Sequence, residues 1–116
     1  MAHTAGGSLR FGVDEKKVAA IWEYRTSSLY TEAERAALDF AIAAASQPNA
    51  VTDGLFERMK RHWTEGQIVE IAATVALFGF LNRWNDTMAT PLEEEPIEVG
   101  KKFLAPHGWN VGRHRR

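Results

Sequence analysis

Apolar residues recur along most of the chain at intervals of three and four positions, which is the spacing of an amphipathic helix. Between Asp14 and Tyr24, for example, Val18, Ile21 and Trp22 fall on one face. No segment alternates apolar and polar residues and then turns in the manner of a β-hairpin. The pattern therefore predicts an all-α fold, a bundle of about five or six helices.

Two threonine-led signatures mark helix starts. In Thr31–Glu34 and Thr64–Gln67, a threonine is followed three residues later by Glu or Gln. Each side chain of such a pair can accept a hydrogen bond from the other residue's backbone N–H, which is the capping box. The first box predicts a helix to about Ser46, since Pro48 cannot continue it. The second predicts a long helix to about Thr87.

The other segments give weaker signals. Val51–Asp53 is expected to open a helix, and Pro96 to lead a short one that ends near Leu104. Residues 1–11 are ambiguous because they contain two adjacent glycines, although Gly12 could end a helix in the left-handed conformation. Residues 105–116 are expected to form a tail.

The longest apolar run, Ile71–Leu81, lies inside the long helix and contains one polar residue, Thr74. A helix that is apolar on every side is either central to a core or shared with another subunit. A domain of 116 residues can hardly wrap such a helix completely. We therefore expect a homo-oligomer that assembles through this run. The run is also shorter than the ~18 residues that a membrane span needs.

Composition and charge narrow the classes of function. Lys and Arg number 14 against 15 Asp and Glu, so no global field favours nucleic acid or an anionic membrane. The chain has no cysteine, which excludes disulfides, thiolate metal sites and a cysteine nucleophile within these residues. The first residues lack the apolar core of a signal peptide, so we expect a cytoplasmic protein.

The four histidines do not predict a metal or cofactor site, because none pairs with another at the helical spacing of ligands. His62 is expected to cap a helix or lie at the surface, and His107 to have a structural role in a loop. His114 belongs to the basic end of the chain, which is usually a solvated tail. On composition alone, His3 would be a mobile terminal residue.

Two polar clusters are further candidates. Glu93–Glu95 is expected to be a solvated acidic turn, because adjacent carboxylates in a turn do not converge on one atom as general acid–base chemistry requires. Asn82, Trp84 and Asn85, at the end of the apolar helix, could line a binding pocket or form a polar seam between subunits. An ordinary amphipathic last turn explains them equally well, so both interpretations stay open.

The order of these features resembles the carboxymuconolactone decarboxylase / alkylhydroperoxidase D-like superfamily, called AhpD-like below. The resemblance covers most of the chain, roughly His3 to Gly112, and the following segments carry it in order: Gly12–Lys17, Leu29–Leu38, Leu55–Phe56, Ile68–Glu70, Phe80–Asn85 and Gly108–Gly112.

The resemblance implies an all-helical protein that assembles as a trimer, a hexamer or a related oligomer. In the alkylhydroperoxidase branch, a Cys-x-x-Cys pair with a nearby His reduces peroxides, on a helix that ends at the equivalent of Gly12. His3-Thr4 is similar to the His-Thr that follows the second cysteine, so His3 is the implied catalytic residue. Residues 1–12 would then be the remnant of the active-site helix within a single domain, 1–116.

Three hypotheses follow. The chain is the carboxyl-terminal portion of a peroxide-reducing enzyme whose two cysteines lie upstream of Met1, which we prefer because a truncation or a late start suffices. Alternatively, it is a naturally short relative that lost the thiols and serves as an oligomerisation or small-molecule-binding module. In the third, it is a cofactor-free lyase of the decarboxylase branch, with His3 as the proton carrier.

Overall fold

The computed structural model describes residues 1–115 and contains α-helices and short 3-10 turns, with no strand in this range. The all-α prediction is confirmed. None of the helices in the described range is long and apolar enough to cross a membrane. The α-helices are α1 (Ala2–Arg10), α2 (Glu15–Ala19), α3 (Glu32–Ala45), α4 (Asp53–Lys60), α5 (Glu65–Met88) and α6 (Glu94–Phe103).

Both predicted capping boxes form. The Thr31 hydroxyl accepts from the Glu34 N–H at 3.1 Å, and the Glu34 carboxylate accepts from the Thr31 N–H at 2.8 Å. Thr64 and Gln67 exchange the same two bonds at 3.2 and 3.0 Å. These side chains satisfy backbone donors that the first turns of α3 and α5 leave without helical partners.

The ambiguous first segment is helical in spite of its glycines. α1 ends in a Schellman motif, in which the Gly12 N–H donates to the Leu9 carbonyl and the Val13 N–H donates to the Ser8 carbonyl, both at 3.0 Å. Gly12 has φ +85°, a left-handed conformation that glycine adopts without steric cost. The predicted left-handed cap at Gly12 is confirmed.

The chain divides into two compact units, which we describe separately. Unit 2 is continuous, from Tyr30 to Trp84. Its buried core joins α3, α4 and α5 through one cluster of side chains: Ala36, Phe40, Met59 and Ile68. Two polar contacts lock the same helices, because Arg58 pairs with Asp39 at 2.5 Å and the Trp63 indole N–H donates to the Ala33 carbonyl at 3.1 Å.

Unit 1 joins the two ends of the chain, residues 1–29 and 85–115 of the described range. α1 packs against α6, and Ala2, Phe103 and Leu104 form a small core. The Trp109 ring lies directly on Gly100, where a Cβ atom would come within 2.4 Å of the ring. This close approach requires glycine at position 100.

Three boundaries differ from the sequence prediction. The helix predicted from Asp14 to Tyr24 changes after α2 into a 3-10 turn, Ala20–Glu23. α6 begins two residues before Pro96, which sits in the first helical turn, where its missing N–H costs no helical hydrogen bond. The predicted tail contains two 3-10 turns, Ala105–His107 and Gly112–His114, and its last residue, Arg116, lies outside the described residues.

Candidate functional site

His3 lies in the first turn of α1, close to the start of α6. Ala2 and Gly6 form the buried side of α1, and a Cβ on Gly6 would lie 3.6 Å from the Val99 side chain on α6. His3 itself is on the exposed part of this helix. Its Nε2 lies 3.0 Å from Oε2 of Glu93. His3 is therefore positioned by its helix and a carboxylate.

Glu93 is the residue immediately before α6, and its backbone is extended. Its carboxylate makes no capping bond to α6 and contacts His3 instead. Glu94 and Glu95 form the first turn of the helix, and Glu95 lies 3.3 Å from Arg10 of α1. The prediction of an acidic turn is wrong, because these carboxylates favour a helix start, where they face the positive end of the helix dipole.

The arrangement suits proton transfer. When the Nε2–H of His3 donates to Glu93, Nδ1 is left as an acceptor, so the carboxylate selects one tautomer of the neutral ring. The side chains are 55% and 63% exposed, which means that solvent weakens the pairing and that a reactant can reach the ring.

The other histidines are placed differently. The His107 ring stacks on Trp22 with centroids 4.8 Å apart, so its predicted structural role is supported. His62 is exposed, as expected. The expectation of a solvated tail at His114 is wrong. Its ring contacts Asp86 at 3.1 Å and the Thr90 carbonyl at 2.9 Å.

The predicted binding residues lie at the end of α5. Trp84 is 56% exposed, with its ring centroid 6.3 Å from that of Phe80, and Asn82 is exposed. Asn85 is partly buried, and its carbonyl accepts from the Thr90 N–H at 3.1 Å. A pocket or a subunit seam at these residues stays a prediction. Across residues 1–115, no three His, Asp or Glu side chains converge as they would around a metal ion.

Sequence reasoning found His3 only through resemblance and missed its partner. Glu93 is 90 positions away from His3. It is the first of three consecutive glutamates, a pattern that indicates only exposure to solvent. The pairing of His114 with Asp86 spans 28 positions and has no periodic signal either. The first contact is created when the two ends of the chain meet in unit 1, and the second when the last residues fold back on the end of α5.

Comparison with known proteins agrees with this architecture. No protein-family model matches the chain. The debrominase Bmp8 superposes with a TM-score of 0.82 at 38% identity, over 88% of this chain and 55% of Bmp8, both as the apo protein and as a cysteine-to-alanine variant in complex with 2,3,4-tribromopyrrole. The chain therefore has the all-α, AhpD-like fold of these helical proteins.

A second relative is the uncharacterized protein YnjA of Escherichia coli (strain K12). It is 32% identical over 77 residues, which cover 66% of this chain and 42% of YnjA. The chain thus spans about half the length of the relatives it matches, 42% of YnjA and 55% of Bmp8.

Proposed function

We propose that this chain is the scaffold part of a thiol-dependent reductase with the AhpD-like fold. The pairing of His3 with Glu93 carries the proposal, because it places an accessible, oriented imidazole where the resemblance puts the histidine of the dithiol site. The chain itself contains no cysteine. The proposal therefore requires two cysteines outside these 116 residues.

In the proposed reaction, His3 handles a proton. A thiol must lose its proton to become a nucleophile, and a nearby imidazole can accept it. Glu93 would stabilise the resulting imidazolium through the hydrogen bond at Nε2. With a peroxide, the thiolate breaks the O–O bond and an alcohol leaves. The second thiol then closes a disulfide and releases water, and an external thiol restores the pair.

A halogenated aromatic compound is the second candidate substrate. The observation that favours it is the likeness to the debrominase Bmp8. One of the matching Bmp8 structures is a cysteine-to-alanine variant in complex with 2,3,4-tribromopyrrole. Removal of bromine as bromide, with a hydrogen atom in its place, also consumes two electrons. A dithiol that closes to a disulfide supplies them. Both candidates therefore need the same thiols and the same proton carrier.

The test compares two proteins: the 116-residue chain, verified by intact mass, and the product of the reading frame extended upstream of Met1. Each is assayed with excess dithiothreitol, for loss of cumene hydroperoxide and for bromide released from 2,3,4-tribromopyrrole. We expect turnover only by the extended protein. His3→Gln there should lower kcat about 10²- to 10⁴-fold, the range for loss of an acid–base group.

Two results would contradict the proposal. One is catalytic turnover by the mass-verified 116-residue chain, which has no sulfur nucleophile. The other is an upstream frame that stops directly before Met1 without encoding a Cys-x-x-Cys pair. In the extended protein, His62→Gln is the matched control for His3→Gln, because His62 is exposed and lies in the other unit.

We also propose that the chain forms a homo-oligomer, a trimer or hexamer, through Ile71–Leu81. The support is exposure, since Leu77 is 55% and Phe80 60% exposed within this run, and single chains rarely leave a contiguous apolar stripe in water. Light scattering should give a multiple of 13.0 kDa. Phe80→Glu should lower the mass to one chain, whereas Phe11→Glu, at another exposed aromatic, should not. A well-folded monomer at micromolar concentration overturns this assignment.

A further inference from the structure

One side of α5 packs into the core of unit 2, and the opposite side is an exposed row of apolar residues. Ile68, Ile71 and Ala72 lie in or against the buried cluster. On the opposite side, apolar residues recur every three or four positions, so they form one line along the helix. We call this line the α5 stripe, and its five exposed members are Val69, Ala73, Leu77, Phe80 and Trp84.

The α5 stripe has the form of a surface on which another helix packs. It is about 22 Å long at 1.5 Å per residue. Apolar residues at intervals of three and four positions form the seam between paired helices. Because the stripe is exposed in the single chain, the helix that packs on it belongs to a second copy or to another segment of protein.

Two opposite charges lie on one edge of the stripe, near its two ends. Glu65 precedes Val69 by four positions, and Arg83 follows Phe80 by three. Glu65 and Arg83 are 18 positions apart, which is five turns of about 3.6 residues, so both lie on the same side of α5. Both are exposed. The edge of the stripe is therefore negative at its beginning and positive at its far end.

The charges match those of a second α5 that runs in the opposite direction. The residue midway between Glu65 and Arg83 is Thr74. A twofold axis beside Thr74 maps the negative end of each stripe onto the positive end of the other. Glu65 and Arg83 are on the same side of the helix, so the axis also keeps each charge beside its opposite on the second copy. Two identical ion pairs result.

The sizes of the side chains match in the same arrangement. Trp84 of one copy lies beside Gly66 of the other, where a Cβ would have nothing within 4 Å. Phe80 lies beside Val69 of the other copy, and the two copies of Ala73 meet next to the axis. Large side chains thus face small ones, which lets two helices pack closely.

We propose that two copies of this chain pair their α5 stripes in antiparallel orientation about a twofold axis near Thr74, with Arg83 of each copy beside Glu65 of the other. The pairing rests on the homo-oligomer proposed above and specifies its interface. A twofold contact joins identical surfaces, so the assembly contains an even number of chains. A hexamer can contain such an axis, and a trimer cannot.

Charge reversal tests the ion pairs. Arg83→Glu opposes two negative charges at each end of the pair, and Glu65→Arg opposes two positive charges. In sedimentation equilibrium, each variant alone should raise the dissociation constant of the assembly at least about tenfold, because like charges across an interface are strongly unfavourable. A mixture of the two variants should come within about threefold of the parent chain, since every ion pair between unlike copies then joins opposite charges.

The mixture also separates the interface from folding, because a variant that does not fold is not repaired by a second variant. Arg61→Glu is the matched control. Arg61 is exposed and belongs to the same unit, but it lies outside α5. The control should assemble as the parent chain does.

Engineered cysteines test the direction of the helices, because the chain has none of its own. Ala73→Cys lies next to the axis, so air oxidation should join two copies by a disulfide. In an antiparallel pair Val69 is about 15 Å along the helix from its counterpart, beyond the reach of a disulfide. Val69→Cys should therefore not cross-link, whereas a parallel pair would cross-link at both positions. Ala45→Cys, at an exposed alanine of α3, reports random collisions on the same non-reducing gel.

Three outcomes would overturn the pairing. The first is no recovery in the mixture of charge variants, and the second is equal cross-linking of Val69→Cys and Ala73→Cys. The third is a folded protein, extended upstream of Met1, in which Ala73→Cys no longer cross-links, because the upstream segment then covers the stripe. A wrong pattern in an assembled chain leaves the homo-oligomer in place, whereas a monomeric parent chain overturns the homo-oligomer and the pairing together. None of these measurements needs turnover, so a failure of the proposed reductase activity is seen separately.

Discussion

Different kinds of contact stabilise the interior of unit 2 and the interior of unit 1. Unit 2 is one continuous stretch, and Thr31, Thr52 and Thr64 cap its three helices from within the local sequence. Unit 1 is made from the two ends of the chain, and several of its polar contacts join residues far apart in sequence, such as His3 with Glu93 and Lys102 with Glu15.

The largest fully buried side chain and the paired histidines lie in different units. The fully buried Met59 and the exposed apolar residues Leu77 and Phe80 of α5 both belong to unit 2. The paired histidines, His3 and His114, both belong to unit 1, where each contacts a carboxylate that is distant in sequence. The discontinuous unit is thus the one that places these paired histidine rings in contact with solvent.

The largest effect is expected in the core of unit 2. Met59→Ala removes the only side chain in the described range that is both large and fully buried, so the free energy of unfolding should fall by about 2–5 kcal/mol. Met88→Ala, at a site that is 61% exposed, should change it by less than about 0.5 kcal/mol. Urea denaturation followed by circular dichroism measures both. Equal losses would contradict the assignment of the core.

The next effect tests unit 1. A Cβ at Gly100 would meet the Trp109 ring at 2.4 Å, so Gly100→Ala should displace the ring and destabilise the protein by about 1–3 kcal/mol. Gly7→Ala, in the middle of α1 with nothing within 4 Å of the new atom, should instead stabilise by about 0.5–1 kcal/mol. Urea denaturation measures both stabilities, and the NMR signal of the Trp109 indole N–H follows the displacement. A stable Gly100→Ala protein would mean that the ring has room to move.

A smaller effect tests the contribution of the Thr31 cap to the start of α3. Thr31→Ala removes the hydroxyl that accepts from the Glu34 N–H, so the free energy of unfolding should fall by about 1 kcal/mol. Thr31→Ser keeps an acceptor at the same place and should cost less. Urea denaturation compares the two. If the Ser and Ala variants lose the same amount, packing of the threonine methyl group matters more than its cap.

The smallest effect concerns a local ion pair of unit 2. The hydrogen bond from Lys60, 2.9 Å away, and its charge hold the pKa of Glu57 below its ordinary value of 4.5. The pair therefore adds stability above that value and loses it as the pH falls through the lowered pKa. In Lys60→Gln the pKa of Glu57 should rise toward 4.5, measured by NMR titration of its carboxyl carbon. Lys101→Gln, in an equivalent pair of unit 1, should leave it unchanged.

The helices of unit 2 were largely predictable, because the residues that begin each helix are only a few positions apart. A threonine and a Glu or Gln three residues later contain all the atoms of a capping box, so Thr31 and Thr64 could be identified without tertiary structure. A start at Pro96 places the beginning of α6 two residues late, because proline is also tolerated further into the first turn, where no helical N–H bond is needed.

The candidate site was less predictable than the fold. His3 follows only from its likeness to a family motif, and the sequence predicts a solvated turn at Glu93, which instead precedes α6 directly. Whether Asn82, Trp84 and Asn85 line a pocket stays a prediction, as do the single domain and the oligomer. A side chain's partner across 90 positions depends on how α1 and α6 pack, and no local pattern contains that information.

The amino-acid sequence by itself determined the all-α class, the starts of α3 and α5, the left-handed end of α1 and the absence of a thiol from these residues. Periodicity, caps and composition act within a few residues, so they can be evaluated along the chain. Only the tertiary structure decided that His3 meets Glu93 and that His114 meets Asp86. The first contact arises because apolar burial brings the two ends of the chain together, and the second because the last residues fold back on the end of α5.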